Sequence, residues 1–372
     1  MTSIPPLIPA AATTSTTQSR TPTPTPTPTP TSSSSSSNTY AIISKPNITQ
    51  IQFGPYTLKT WYGTSVYFSR NEGHELGFKD CERSKVGVKP NKDNTSTISN
   101  ADTTLDQLDS ADHDQMSNEP WLDKLYVCDY CFKYTDSMGQ YQQHYQYCES
   151  LQKEFVFGKI SYRDSKHTIR KIKGSKHKLF CQNLSLFTKL YLDNKSVFFD
   201  VDHFQYFIIY DNFSLKPLGF FSMELLSLER NNLACILIFP PYQRQRLGRK
   251  LIEFSYALSR SQYLISGPEK PLSPFGLVGY LRYWSDVIGR LFLEKGVLAN
   301  VETVTIDQIS SITGFRCEDV DMTLRYMEVL FRSDDTGKDV VLDLNRLKEW
   351  AKVNHVDSGK SSDMIENDCL LF

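Results

Sequence analysis

The stretch CDYCFKYTDSMGQYQQHYQYC, residues 128–148, constrains this chain more than any other. It carries Cys128, Cys131, His144 and Cys148 in the spacing C-x2-C-x12-H-x3-C. Zinc takes four tetrahedral nitrogen and sulfur ligands. A two-residue gap between cysteines bends the backbone into a knuckle that aims both thiolates at one ion. His144 and Cys148 are four residues apart, one helical turn, so they share a face. Four protein ligands leave no open coordination position, so the site is expected to hold structure rather than carry out chemistry. A redox Cys-x-x-Cys pair would leave the other two residues unexplained.

The other cysteines are scattered, which suits a reducing compartment, cytosol or nucleus. With 40% hydrophobic residues, 22 Phe and 20 Tyr, the 372 residues have ample material for two or three domains, or one core with appendages. A net charge of −1 excludes a uniformly basic nucleic-acid coat, so any basic surface is local. The first residues lack a charged start followed by an apolar run, so no signal peptide is expected. No apolar run approaches the ~18 residues of a membrane span, so no membrane partner is expected. Cys369-Leu370-Leu371-Phe372 formally fits a prenylation box. It comes after the acidic SSDMIEND and reads as a chance ending.

Residues 1–44 are low in complexity. TPTPTPTPTP and SSSSSS bury nothing, so a disordered tail is expected. Residues 47–68 alternate and are rich in β-branched and aromatic side chains, which predicts a small sheet. The polar stretch at about 70–119 holds five Asp, one Glu and no Lys or Arg over 101–119, and reads as a disordered acidic insertion. With the zinc finger at 120–150 these make an N-terminal strand module, 45–170. Strands and helices alternate from 155 to 300, a mixed α/β core. In 301–355, Thr305 and Gln308 have capping-box spacing, and the order helix, turn, helix, strand, helix is winged-helix-like. Residues 356–372 are expected to be a flexible tail.

One junction in the core suggests ligand binding. LACILIF (233–239) reads as a strand and Gln243–Arg249 as a turn. The next segment reads as a helix with Leu251, Ile252, Ser255 and Leu258 on one face. Helix starts carry unpaired N–H groups and about half a positive charge, which suits a pyrophosphate. Arg244, Arg246 and Arg249 add charge. Only Gly248 supplies the glycine usual in such turns.

The motifs CQNLSLFTKLYLD, YQRQRLGRKLIEFSY and GPEKPLSPFG, in this order with the zinc cluster and IQFGPYTLKTWY, resemble the MYST family of histone lysine acetyltransferases. The resemblance covers roughly 45–69 and 120–345. The wording ISGPEKPLSPFGLVGYLRYW is most similar to the fungal "something about silencing" branch, the catalytic subunit of a small complex. The resemblance implies a mixed α+β fold: a general N-acetyltransferase-like core at 171–300, the zinc module before it and a helix-turn-helix-like region after it. It implies acetyl-CoA as acetyl donor, structural zinc, histone tails or the nucleosome as partner, accessory subunits, and a nuclear location. The family turn reads R/Q-x-x-G-x-G/A. The residues matching it run Gln243, Arg244, Gln245, Arg246, Leu247 and Gly248, so Arg246 stands at the first glycine. The backbone there is therefore expected to avoid any glycine-only conformation.

The resemblance also implies roles. Glu269 matches the catalytic glutamate. A partly shielded carboxylate of raised pKa suits removal of a proton from an ammonium of pKa about 10.4. Cys235 matches the cysteine beside the acetyl group, either lining the site or accepting the acetyl, and direct attack is the favoured route. The backbone of Ile236, Leu237 and Ile238 is expected to hold the pantetheine and polarise the thioester. Together with Gln243 to Arg249, Ser273 is a cofactor contact, and Lys195 matches a self-acetylated lysine. Histone four lysine 16 is the substrate suggested by the silencing branch. The basic RKIKGSKHK (170–178) is expected either to contact DNA weakly or to be a solvated hairpin. Two alternatives explain less. A zinc-finger and winged-helix DNA regulator gives no reason for GPEKPLS, and the second helix of its helix-turn-helix has four acidic residues and one Arg. A catalytically dead scaffold, suggested by Arg246, gives no reason to keep Glu269 and Cys235.

Overall fold

Alternation at the N-terminal end is realised as a four-stranded sheet. It comprises β1 (Ile48–Phe53), β2 (Tyr56–Lys59), β3 (Leu122–Val127) and β4 (Tyr134–Thr135), ordered β2-β1-β3-β4 with β1 and β3 parallel. In the computed structural model residues 43, 45–68, 76, 120–193, 195–301, 303–332, 340–356 and 364–371 are described. Most of the expected N-terminal tail and acidic insertion therefore lie outside the described residues. Two positions in them are described: Ile43 bridges Gly63, and Leu76 bridges Phe68 and is buried. The start of the insertion thus belongs to the core, because Leu76 is its first large aliphatic side chain.

After the helix α1 (Met138–Glu154) comes the central sheet. Its strands are β5 (Lys159–Arg163), β6 (His167–Lys173), β7 (Phe204–Asp211), β8 (Pro217–Glu224) and, past β9 (Asn231–Leu233), β10 (Cys235–Ile238). The order is β10-β8-β7-β6-β5, all neighbours antiparallel. Successive side chains of a strand face opposite sides, and β7 shows why both sides are apolar here. Tyr206, Ile208 and Tyr210 pack on one core with α2 (Lys178–Lys189) and the N-terminal sheet. Phe207 and Ile209 pack on the other with Leu247, Leu251 and Phe254 of α3 (Leu247–Ser261). Truncating the fully buried Phe254 to Ala would cost about 3–5 kcal/mol.

β11 (Gly267–Pro268) leads into α4 (Pro274–Leu291). Then come α5 (Ile306–Thr313), α6 (Cys317–Tyr326), the hairpin β12 (Leu330–Arg332) and β13 (Val340–Leu342), and α7 (Leu344–Val353). This is the expected winged-helix order, and Thr305 and Gln308 form the expected capping box. It shares one core with α3 and α4: Tyr256, Tyr280 and Trp284 pack with Phe315, Val320 and Leu347.

The segment 364–371, expected as part of a flexible tail, is docked. Glu253 of α3 accepts from the N–H groups of Met364 and Ile365, both at 2.9 Å. The Leu371 N–H donates to Ser161 of β5 at 2.8 Å, Leu370 bridges Tyr162, and Ile365 is buried. Apolar side chains read in sequence as a chance ending therefore close one edge of the central sheet. Among the described residues no helix is long and apolar enough to cross a membrane.

Candidate active site and metal centre

The metal centre is built by β3, the knuckle after it, and α1. The knuckle closes with the Phe132 N–H donating to Cys128 and the Cys128 N–H to Lys133, both at 2.9 Å. His144 and Cys148 come from one face of α1, whose start is capped by Ser137. The three sulfurs and a ring nitrogen of His144 lie within 4.8 Å of one another, and Cys131 Sγ is 3.2 Å from His144 Nε2. Tetrahedral ligands about 2.3 Å from zinc stand about 3.8 Å apart, so the set fits zinc. The chemistry agrees. A hydrogen bond with Cys128, then burial, pushes the Cys148 thiol up to about 12, so a divalent cation is what would let these thiols ionise together. Burial holds His144 below its usual range, as a neutral ligand nitrogen requires.

The knuckle is wired into the core. Phe132 has φ +63° and is fully buried. Its ring lies 5.6 Å from Phe180, 5.7 Å from Phe187 and 5.3 Å from Phe239, the residue that ends the β10 run. Next to the knuckle cysteines, the buried Asp129 pairs with Lys216 at 2.8 Å.

The second site forms where the LACILIF strand changes partner. β9 pairs in parallel with β11, while β10 pairs with β8 through Cys235↔Ser222 to Ile238↔Gly219. Cys235 sits just past this seam. On the other side, the Glu269 N–H donates to Leu233 at 2.8 Å. The seam thus delivers Glu269, from a loop, to Cys235, on a strand. Their electrostatics register the closeness. Burial raises the half-buried Cys235 thiol, Lys195 opposes and the Glu269 charge adds. Glu269 is an exposed residue, yet partial desolvation of its carboxylate raises its pKa, Glu224 and Glu229 push the same way, and Lys195 opposes. The seam thereby brings Glu269 and Cys235 together, and the charge of Lys195 acts on both.

β10 is an edge strand, so alternate N–H and C=O groups of Ile236, Leu237 and Ile238 are directed away from β8. One exception is internal: the Gln243 side chain donates to the Ile238 carbonyl at 3.0 Å. The turn is shorter than expected. α3 begins at Leu247, so Leu247, Gly248 and Arg249 belong to its first turn. No side chain caps this start, leaving N–H groups directed along the axis. A Cβ on Gly248 would meet only Ile238 Cγ1, at an ordinary 3.7 Å. Packing therefore does not demand glycine, which leaves open space over the helix start for a ligand. These features fit an extended ligand that carries a pyrophosphate.

Of two expectations for the turn, the one for Arg246 is met and the one for Arg249 is corrected. Arg246 has φ +61° and ψ 11°, and Arg244 φ +65°, so the turn uses the left-handed conformation that glycine favours and holds arginine in it. That conformation is open to side-chain residues at about 1–2 kcal/mol each. Arg249 does not add its charge to the turn: its guanidinium pairs with Asp286 of α4 and lies over the Tyr283 ring at 5.5 Å. Arg244, Gln245 and Arg246 are exposed. Ser273 caps α4, accepting from the Gly276 N–H at 3.1 Å, a role its spacing before Pro274 could have revealed.

The sequence reading missed a set of residues behind Glu269. Arg316 donates to the carbonyl of Pro268 at 3.2 Å, to that of Glu229 at 2.9 Å and to Asn231 Oδ1 at 2.6 Å. Lys270 pairs with Glu318 at 2.7 Å and Asp319 at 2.9 Å. The acidity of α6 was the available signal.

Comparison with known proteins gives one family. The MOZ/SAS family model matches residues 156–370. A histone acetyltransferase SAS2 from Saccharomyces cerevisiae is 45% identical over 316 residues, covering 85% of this chain and 82% of that protein. A histone acetyltransferase ESA1 from Candida glabrata is 36% identical over 65% of this chain and 56% of its own length. A histone acetyltransferase MOF from Drosophila melanogaster is 38% identical over 55% of this chain and 24% of its own length.

Proposed function

Because the chain belongs to the MOZ/SAS family, the family expected from its motifs, we propose that it is a protein-lysine acetyltransferase acting on histones with acetyl-CoA as donor. The observation that carries the mechanism is the seam at Ala234, which sets Glu269 against Cys235 beside an open strand edge and an uncapped helix start. Acetyl-CoA would lie along β10. Its pantetheine would run along Ile236, Leu237 and Ile238 and bond the backbone groups that alternate outward, and its pyrophosphate would sit over Gln243 to Arg249. Only backbone, not the Arg249 side chain, would serve at that last position. The Ser273 hydroxyl still has its proton to donate.

Glu269 removes a proton from the acceptor ammonium. The freed nitrogen attacks the thioester carbonyl, the C–N bond forms, the C–S bond breaks, and the nitrogen's second proton passes to the leaving thiolate, which departs as the thiol of coenzyme A. A base must be ionised at neutral pH yet hold a proton well, and a carboxylate of raised pKa does both. Outward N–H groups of β10 would stabilise the developing oxyanion. Burial keeps Cys235 a neutral thiol, a poor nucleophile, which supports direct attack with Cys235 lining the acetyl pocket. Unacetylated, Lys195 lowers the pKa of both groups, and the self-acetylation of this reading would remove that charge.

Lysine 16 of histone four as target, action in chromatin silencing, accessory subunits and a nuclear location rest on the resemblance to the silencing branch and the similarity to SAS2. Weak DNA contact has one physical support. Lys159 stands directly opposite Lys171, whose pKa is held down by burial, Lys159 and Lys173. Like charges placed opposite each other are unfavourable unless an anion joins them. Within RKIKGSKHK, by contrast, Arg170 bonds Val156 and Gly158, and Lys178 pairs with Asp202. The reading as a DNA regulator without catalysis is disfavoured, since the acidic α6 turns Glu318 and Asp319 to Lys270.

The deciding experiment incubates purified protein with labelled acetyl-CoA and core histones, alone and with candidate partners, beside Glu269→Gln. Label on a histone lysine, lost in the variant, is the expected result, with the lysine identified by mass spectrometry. No label with wild type under either condition would sink the enzyme.

A further inference from the structure

The helix that a winged-helix protein would present to DNA is here directed at the loop carrying Glu269. Asp319 of α6 is 0% exposed. Its Oδ2 lies where a Cβ on Gly267 would come within 2.5 Å, so only glycine lets the loop pass. Burying a carboxylate costs several kcal/mol unless a partner repays it, and its ion partner is Lys270 at 2.9 Å. Glu318 takes the same ammonium at 2.7 Å. Arg316, at the start of α6, holds the Pro268 carbonyl on the other side of Glu269. Glu269 is thus flanked by two residues tied to one helix, while its own N–H is tied to Leu233.

We propose that Asp319 is a positioning residue for the acetyl-transfer reaction: with Arg316 and Glu318 it fixes both flanks of Glu269 and holds the Lys270 ammonium away from the Glu269 carboxylate. This rests on the reading of Glu269 as the base. The groups acting on Glu269 are Glu224 of β8, Glu229 of the loop after β8 and Lys195, which precedes β7. Lys270, its chain neighbour, is not among them. The groups facing Lys270 are Glu318 and Asp319, with Arg316 beside them. An opposite charge within about 4–6 Å of a carboxylate lowers its pKa by 1–3 units. A released Lys270 would therefore weaken the base as well as loosen it.

The test is the pH dependence of kcat/KM for full-length Asp319→Asn, which keeps shape and removes charge. A loss in kcat of about 10- to 100-fold is expected, with KM for acetyl-CoA changed less than twofold. The acidic limb is expected to move to lower pH, and to return to its wild-type position in Asp319→Asn/Lys270→Met, which lacks the released cation. An unmoved limb, or a loss confined to KM, would overturn the proposal. If Asp319→Asn fails to fold by circular dichroism, Glu318→Gln, at an exposed position, reads the same limb. A smaller shift in the same direction is then expected, and no shift overturns the proposal. Glu269→Gln separates the two ideas. If it retains activity, the base assignment fails; if it is inactive while the Asp319 limb stays put, only the positioning role fails.

Discussion

The Glu269 N–H donates to the Leu233 carbonyl at 2.8 Å, two residues before Cys235 in the chain. One backbone bond therefore sets the distance between the proposed base and the acetyl pocket. Glu269→Gln keeps that bond and removes only the base, so a fall in kcat of about 100-fold or more is expected with unchanged circular dichroism. The pH dependence has a definite sign. Partial desolvation, Glu224 and Glu229 raise the Glu269 pKa, so protonation disables the base at a higher pH than for an ordinary carboxylate. The wild-type rate should fall as pH drops through that raised value, and the residual rate of the variant should lack this limb.

Lys195 lowers the pKa of both Glu269 and Cys235. In the unacetylated enzyme, Lys195→Gln removes this charge, as acetylation would. The acidic limb of the pH–rate profile should then shift to higher pH, while Lys195→Arg should leave the limb in place. Identical limbs for the two variants would contradict the assignment of a charge effect.

Gly248 and Arg246 should respond in opposite ways. Gly248→Ala meets only Ile238, so the melting temperature should hold or rise slightly, while KM for acetyl-CoA rises about tenfold if the added methyl blocks one charge-assisted bond to phosphate. Arg246→Gly relieves a left-handed residue, worth about 1–2 kcal/mol, against ~0.4–1 kcal/mol of added freedom in the unfolded chain. A stability gain of about 0.5–1 kcal/mol in urea unfolding is expected. KM for acetyl-CoA measures the rest: little change means the arginine fits, and a clear fall means it had weakened the cradle.

Much of this was legible in sequence, for separate reasons. The zinc set could be read because ligand spacing is local: one knuckle and one helical turn fix it. The order of strands and helices came from alternation and from the run into α3. What escaped was set by contacts distant in the chain. Arg249 carried the right charge in the right turn, but Asp286, 37 residues on, takes it. The acidic α6 was evidence against DNA reading, yet its positive purpose at Lys270 needed the fold, 48 residues away. The final segment reads as tail because its apolar residues have no period. Their partners on β5 are about 200 residues earlier.

Removing zinc should act beyond the finger. Cys148→Ser or a strong chelator should release metal, seen with a colorimetric zinc indicator, and lower the melting temperature. Acetyl-CoA binding should weaken too, because Phe132 in the knuckle packs on Phe239 at 5.3 Å. Unchanged cofactor affinity with metal lost would show the two sites to be independent.

Asp164 gives an acid-stability prediction. It pairs with the buried Lys250 and accepts N–H bonds from Lys166 and His167. Burial pushes its pKa up, but these partners outweigh burial and hold it at about 2. A depressed carboxylate stabilises fully above its unfolded value of about 3.9, and that contribution is lost as pH falls to about 2. Asp164→Asn should cost about 3–5 kcal/mol near neutrality by stranding Lys250, and should flatten the stability profile between about pH 4 and 2. Urea unfolding across pH checks both.

The central sheet treats its two borders differently: Leu370 and Leu371 close β5, while among the described residues β10 has no strand beyond it. A bare border is a template for any passing chain. The acetyl donor would then have a second duty, as the missing neighbour of β10. Purified protein kept with it should stay dispersed at concentrations where the empty form self-associates, so colloidal behaviour becomes a property of the ligand as much as of the sequence.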